Sequence, residues 1–255
     1  MKITDVAAIV TGGASGLGEA VVRAIISRGG RAAILDLDDG KGNKLANELG
    51  GAALYCKTDV SSESDVTAAV EAAASKFGSI NAAVNSAGIA TAGRTISKKG
   101  PADLKLFELA ITVNLIGTFN VIRLAAMKMS ENSPNSEGER GVIVNTASVA
   151  AFDGQIGQAG YAASKSGVVG MTLPIARDLS SYGIRNVTIA PGIFDTPMMA
   201  SFTDEVRASL AQSVPFPQRL GRPEEFAAMV LHVMENSMLN GETIRLDGAL
   251  RMAPK

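Results

Sequence analysis

The chain has 255 residues, 46% hydrophobic and 19% charged, with a formal net charge of −1, one cysteine and one histidine. A substantial core is expected, nucleic acid and anionic membranes are disfavoured as main partners, and Cys56 and His232 alone leave no intrachain disulfide and almost no material for metal binding or Ser-His-Asp chemistry. The apolar run at 6–10 is too short for a signal peptide, and the best candidate span, 111–127, contains Asn114, Asn120 and Arg123, so no membrane segment is expected.

The first strand is predicted at 7–11 and runs into Thr11-Gly12-Gly13-Ala14-Ser15-Gly16-Leu17-Gly18, with a helix at 17–27. Glycines here allow a tight turn and let the backbone approach a pyrophosphate seated at the helix N-terminus. The spacing Gly12, Gly16, Gly18 differs from the common G-x-G-x-x-G pattern. A second strand at 31–36 ends on Asp36, close to the offset of about 20 residues at which an acid meets the adenosine ribose. Its carboxylate would accept from both ribose hydroxyls and repel a 2′-phosphate. Neither Ala14 nor Ser15 offers a cation to attract one, so NAD is the expected cofactor.

Further strands are predicted at 53–57, 82–85, 142–146, 186–190 and 243–246, and further helices at 41–49, 63–77, 102–129, 161–181 and 223–235. Ser61 and Ser62 ahead of Glu63 and Asp65 read as an N-cap. Pro174 is expected to kink its helix. Strands alternating with helices imply an α/β fold: one domain, a Rossmann-type doubly wound parallel sheet of about seven strands covered on both faces. The weakly periodic stretch 196–217 reads as a mobile segment over the sheet edge that covers a site.

Ser148 follows the fifth strand, and Tyr161 and Lys165 stand four apart on one predicted helix face. A free tyrosine, with a pKa of about 10, is too weak a base near neutrality. An ammonium about 4 Å away would contribute about 4 kcal/mol at an effective dielectric of about 20, which corresponds to roughly 3 pKa units. The positive charge of an oxidised nicotinamide would push the same way, so Tyr161 is expected to move a proton, as base for an alcohol and as acid for a carbonyl. Ser148, at a strand's carboxyl end, is expected to hold the substrate oxygen.

These residues make the chain similar to the short-chain dehydrogenase/reductase family along essentially its whole length. The turn 11–18, Asp59-Val60, Asn85-Ser86-Ala87-Gly88, Asn114, Ser148, Tyr161, Lys165 and Pro191-Gly192 carry the resemblance. It implies cofactor contacts from Gly12, Ser15, Gly16, Leu17, Gly18, Asp36, Asn85, Ala87, Gly88, Pro191 and Ile193, with Asp59 and Val60 at the adenine and Thr196 at the carboxamide. It also implies that Lys165 binds the nicotinamide ribose and that Asn114 holds a water linking Lys165 to solvent. Ser86 departs from the family's usual second asparagine.

Runs that extend beyond those motifs, among them 141–152 around Ser148, 170–179, 214–217 and 240–252, resemble the subgroup of type II 3-hydroxyacyl-CoA dehydrogenases. That narrower likeness implies a homotetramer acting on acyl-CoA substrates. Gln155 and Gln158 match its substrate-facing positions, and the charged segment 97–101 matches its insertion. An apolar floor of Phe152, Ile193, Met198, Met199 and Phe202 is expected for the acyl chain. Arg94, Lys98 and Lys99 are placed to meet the CoA phosphates, and Ile244, Leu246, Leu250 and Met252 to meet other subunits. A dehydrogenase of steroids or other secondary alcohols, and a scaffold that binds NAD without turnover, remain open readings. The expected setting is the cytoplasm, or the mitochondrial matrix in an animal.

Overall fold

The computed structural model describes residues 1–197, 199 and 202–254. In chain order the elements begin with β1 (Ala7–Thr11), α1 (Gly16–Ser27), β2 (Arg31–Asp36), α2 (Asp39–Leu49), β3 (Ala53–Lys57), α3 (Glu63–Phe77) and β4 (Ala82–Asn85). A short hairpin of β5 (Ile96–Ser97) and β6 (Gly100–Pro101) follows. Next come α4 (Leu104–Ala110), a π-helical stretch at Ile111–Ile116, and α5 (Gly117–Ser130). The chain closes with β7 (Gly141–Thr146), α6 (Ala159–Leu179), β8 (Ile184–Pro191), α7 (Asp204–Gln212), α8 (Pro223–Glu235) and β9 (Thr243–Leu246).

Seven strands form one parallel sheet in the order β3-β2-β1-β4-β7-β8-β9. Strands buried on both faces need apolar residues at every position, and β1, β4 and β7 are buried throughout. Alternate residues face opposite layers. Ala8 and Val10 pack with Val21, Ile25, Phe226 and Val230 of α1 and α8. Ala7 and Ile9 pack with Val66, Val70, Val121 and Met129 of α3 and α5.

Three expectations change. The long helix at 102–129 is broken by the π-helical stretch, which leaves the apolar spacing nearly intact. By length and a mean hydropathy of 1.6, Leu104–Ser130 is apolar enough to cross a bilayer, contrary to the sequence reading. Half of that window is buried inside the protein, and Asn114 and Asn120 are bonded there to other parts of the chain. The stretch read as a mobile loop contains α7, started by Thr203, whose hydroxyl accepts from the Val206 amide at 3.4 Å. This helix buries none of its side chains within the chain. Separately, α6 extends from Ala159 to Leu179 with Pro174 inside it.

Candidate active site

The carboxyl ends of β1, β4, β7 and β8 stand side by side, the edge at which open α/β sheets bind ligands. At β1 the chain turns through Gly12, at φ +61°, and enters α1. A Cβ on Gly12 would lie 2.9 Å from the Ala87 backbone, and one on Gly18 would collide with the Gly12 carbonyl. Only glycine lets the turn pack this tightly between strand, helix and the next crossover. Ser15 precedes α1 with extended backbone and does not turn its hydroxyl onto the helix. The first-turn amides thus have no side-chain acceptor from their N-cap, an arrangement suited to an anion.

Thr11, named in the sequence only as the start of the turn, has a role of its own. Its hydroxyl accepts from the amides of Ser86 and Ala87, each at 3.1 Å, and so joins the ends of β1 and β4.

Asp36 is held by two backbone donors, Ala14 N to Oδ2 at 3.0 Å and Asp38 N to Oδ1 at 3.1 Å. The first bond ties the carboxylate to the glycine turn. Asp59 accepts from the amide and hydroxyl of Ser61, at 2.9 and 2.7 Å. Val60 is buried against Gly117, and its carbonyl accepts from Asn120 Nδ2 at 2.9 Å. Asn85 donates to Asn145 Oδ1 at 2.9 Å, while its own Oδ1 is buried with no partner among the described residues. A tight glycine turn, a fixed carboxylate and a spare buried acceptor at this edge fit a dinucleotide.

The reacting group centres on α6. Lys165 is 5% exposed, and its Nζ donates to the Thr146 carbonyl at 2.8 Å. Burial pushes its pKa down to about 8. Nζ lies 6.0 Å from the centre of the Tyr161 ring. Burial pushes the Tyr161 hydroxyl up, and a hydrogen bond with Ser148 partly offsets this. The expected lowering of Tyr161 by a lysine about 4 Å away is therefore not what the protein alone supplies. Desolvation dominates both groups and moves them in opposite directions. Ser148 Oγ also accepts from Ala150 N at 3.1 Å.

Asn114 is fully buried in the π-helical stretch. Its Oδ1 accepts from Ile89 N at 2.8 Å, and its Nδ2 donates to Ile89 O at 2.9 Å and Ser164 Oγ at 3.0 Å. This carboxamide fastens α6 to the segment after β4. Gly88 lies between, with a hypothetical Cβ 3.1 Å from Asn114 Oδ1 and 3.4 Å from Lys165 Nζ. Ser164, adjacent to Lys165, was not foreseen as part of this group.

The loop ahead of Tyr161 carries Gln155 and Gln158. Gln155 gives its amide to Ala253 O at 3.0 Å, and Gln158 Oε1 accepts from Gln155 N at 3.0 Å. Arg245 of β9 braces the same loop through Asp153 at 2.6 Å. Pro191 is buried, Ile193 and Thr196 are partly buried, and a Cβ on Gly16 would touch Thr196 at 3.5 Å. Of the expected apolar floor, Met199 is buried, Phe152 and Phe202 are about half exposed, and Met198 lies outside the described residues. A polar depression of about 1140 Å³, lined by Asp5, Arg28, Asn135 and Glu139, lies elsewhere, among the segments before β1 and β7.

A short chain dehydrogenase family profile matches residues 6–207. The 3-hydroxyacyl-CoA dehydrogenase type-2 of Drosophila melanogaster is 56% identical over 99% of this chain and 100% of its own length. The crystal structure of 3-hydroxyacyl-CoA dehydrogenase type-2 from Mycobacterium avium superposes with a TM-score of 0.95, at 48% identity, covering 98% of this chain and 97% of that one. A 7α-hydroxysteroid dehydrogenase complexed with NADH and 7-oxo glycochenodeoxycholic acid aligns at a TM-score of 0.89 and 26% identity, over 100% of this chain and 97% of that one. A profile running from just ahead of β1 into α7, and relatives alike over nearly the full length, agree with the geometry: the chain belongs to the short chain dehydrogenase family and is an oxidoreductase that uses a nicotinamide cofactor.

Proposed function

We propose that this chain interconverts 3-hydroxyacyl-CoA and 3-ketoacyl-CoA with NAD as the cofactor. The observation that carries the chemistry is the meeting of Ser148, Tyr161 and Lys165 beside the glycine turn. The relatives' identity carries the substrate class. When bound, NAD supplies the hydride acceptor and, in oxidised form, a positive charge.

Gly12, Ser15, Gly16, Leu17 and Gly18 hold the pyrophosphate, Asp36 the adenosine ribose, and Asp59 and Val60 the adenine. Asn85, Ala87, Gly88, Pro191, Ile193 and Thr196 line the rest of the cofactor site. Ser148 Oγ accepts from Ala150 N and is bonded to Tyr161, and it turns its proton to the substrate oxygen as substrate binds. Tyr161 takes the proton from a hydroxyl in oxidation and returns it to a carbonyl in reduction. Lys165 has one ammonium hydrogen on Thr146 O and offers the others to the nicotinamide ribose and to the proton path. Asn114 fixes α6, and with it both reacting side chains, through Ser164. Gln158 Nε2, whose protein contact is a long 3.5 Å, is free to meet a thioester carbonyl.

The hairpin of β5 and β6 carries Lys98 and Lys99 at its tip, and Gly93 N, just ahead of it, donates to Gly157 O at 2.8 Å. Lys98, Lys99 and Arg94 are exposed and meet the CoA phosphates. Exposed charge contacts weaken with salt. The KM for acetoacetyl-CoA should rise severalfold from low to high ionic strength, while the KM for an uncharged steroid stays level. Efficient steroid turnover with no reduction of acetoacetyl-CoA would replace this substrate reading with a hydroxysteroid one.

Assembly as a homotetramer completes the proposal. Leu250 is 2% exposed within its own chain, while Ile244 and Leu246 of the edge strand β9, and Met252, keep part of their surface open. Exposed apolar side chains also line α4, the π-helical stretch and α5: Leu104, Phe107, Ile116, Phe119 and Met127. Such a row favours a self-complementary helix interface. Sedimentation at micromolar concentration should give a tetramer, and Phe119→Glu should give a smaller species. A wild-type monomer would contradict it.

A further inference from the structure

Asp36 has Lys57 of β3 as its register partner. Adjacent strands lie about 4.8 Å apart, so a lysine side chain starts beside the ribose-facing carboxylate. A cation there is what a cofactor carrying a 2′-phosphate would require. Nothing at Ala14 or Ser15 provides one; Lys57 is the charge that could.

In this chain Lys57 is engaged elsewhere. Its Nζ lies 2.6 Å from Asp39 Oδ2, and the Tyr55 hydroxyl donates to Asp39 Oδ1 at 2.9 Å. Tyr55 is itself fixed, because its ring occupies the space a side chain on Gly42 of α2 would fill. Both oxygens of Asp39 are thus aimed by residues two apart on one face of β3. Lys41 is likewise answered by Asp38 Oδ2 at 3.1 Å. Lys57 and Asp39 are 63% and 54% exposed in their side chains. An ion pair that open adds little to stability. Its consequence is where the ammonium sits.

We propose that Asp39 determines cofactor choice by drawing Lys57 away from the position of a 2′-phosphate. The inference rests on the reading that Asp36 meets the adenosine ribose. With Asp39 neutral, Lys57 turns toward the ribose and its charge becomes available to a phosphate.

The test compares wild type, Asp39→Asn, Lys57→Met, the double variant and Asp36→Ala. Calorimetric binding of adenosine 2′,5′-bisphosphate and of AMP is read beside kcat/KM with NADP and NAD. Asp39→Asn keeps an acceptor for Tyr55 and should tighten the bisphosphate about tenfold, roughly 1.4 kcal/mol, with AMP affinity changed by less than about twofold. Adding Lys57→Met should erase the gain, and raising the salt should shrink it. An unchanged bisphosphate affinity, a gain that survives Lys57→Met, or an equal change for AMP would overturn the role of Asp39. The underlying reading has its own arms. Wild type should favour NAD over NADP by at least about a hundredfold in kcat/KM, and Asp36→Ala should weaken AMP. If either fails, the reading of Asp36 falls, while the difference between Asp39→Asn and the double variant still decides the proposal.

Discussion

Tyr161→Phe is expected to lower kcat by about a thousandfold or more while NADH binding, followed by fluorescence titration, stays within about twofold. A positioned acid or base contributes roughly 10²–10⁴ in rate, and here no second group stands ready to replace it. His232 is exposed on α8, and Ser148 is an alcohol that can hold an oxygen but not carry its proton away at neutral pH. Phenylalanine keeps the ring beside Lys165 and removes only the hydroxyl. The loss should fall on kcat and kcat/KM alike, the signature of an interaction made in the transition state. Near-normal kcat in this variant would remove Tyr161 from the mechanism.

Lys165→Met should lower kcat by about a hundredfold and also weaken cofactor binding, because one ammonium serves both the ribose and the proton path. It has a second, independent signature in stability. The folded pKa of Lys165 is about 8, below the ordinary lysine value of 10.5. Below pH 8 the group is protonated whether folded or unfolded, and its buried charge costs stability. As pH rises from about 8 to 10.5, the unfolded chain holds more of the proton than the folded one, so stability rises. The full gain is about 3 kcal/mol, because each tenfold difference in proton affinity between the folded and unfolded chain is worth about 1.4 kcal/mol. Denaturant titrations of the cofactor-free protein across this window should show the rise in wild type and its absence in Lys165→Met. Parallel curves for the two proteins would mean that the lysine is solvated rather than buried.

The same burial explains why the sequence could name Tyr161 and Lys165 but not how the protein alone tunes them. Four-residue spacing places both on one helix face, and that much is local. Their proton affinities depend on how much water the fold removes, a property of packing that no spacing records. In the cofactor-free protein Lys165 loses its proton before Tyr161, whose hydroxyl burial holds up. A positive charge brought by the cofactor is what would restore the order the reaction needs. The pH dependence of oxidation then belongs to the coupled pair rather than to one residue.

The sheet was legible for a related reason. Its strands are short runs buried on both faces, so every residue of β1 or β7 had to be small, apolar or internally bonded. Helices that bury one side, such as α3 and α8, showed their period, and α3 its cap as well. The π-helical stretch changes backbone bonding without changing residue type, whereas α7 carries a cap signal, Thr203 ahead of Asp204 and Glu205, that the sequence reading passed over. Partners joined only by the fold were equally hidden. Lys57 beside Asp36 follows from strand register, and Arg245 bracing Asp153 spans 92 residues.

The most direct measurement is rapid mixing of the enzyme–NADH complex with acetoacetyl-CoA, followed by NADH absorbance, with wild type and Tyr161→Phe run side by side. The account expects wild type to consume one NADH for each 3-hydroxybutyryl-CoA formed, and Tyr161→Phe to bind NADH and leave it unconsumed. Wild-type protein that binds NADH tightly, yet consumes none with acetoacetyl-CoA or with a ketosteroid, would contradict the account and make the chain a dinucleotide-binding protein without turnover.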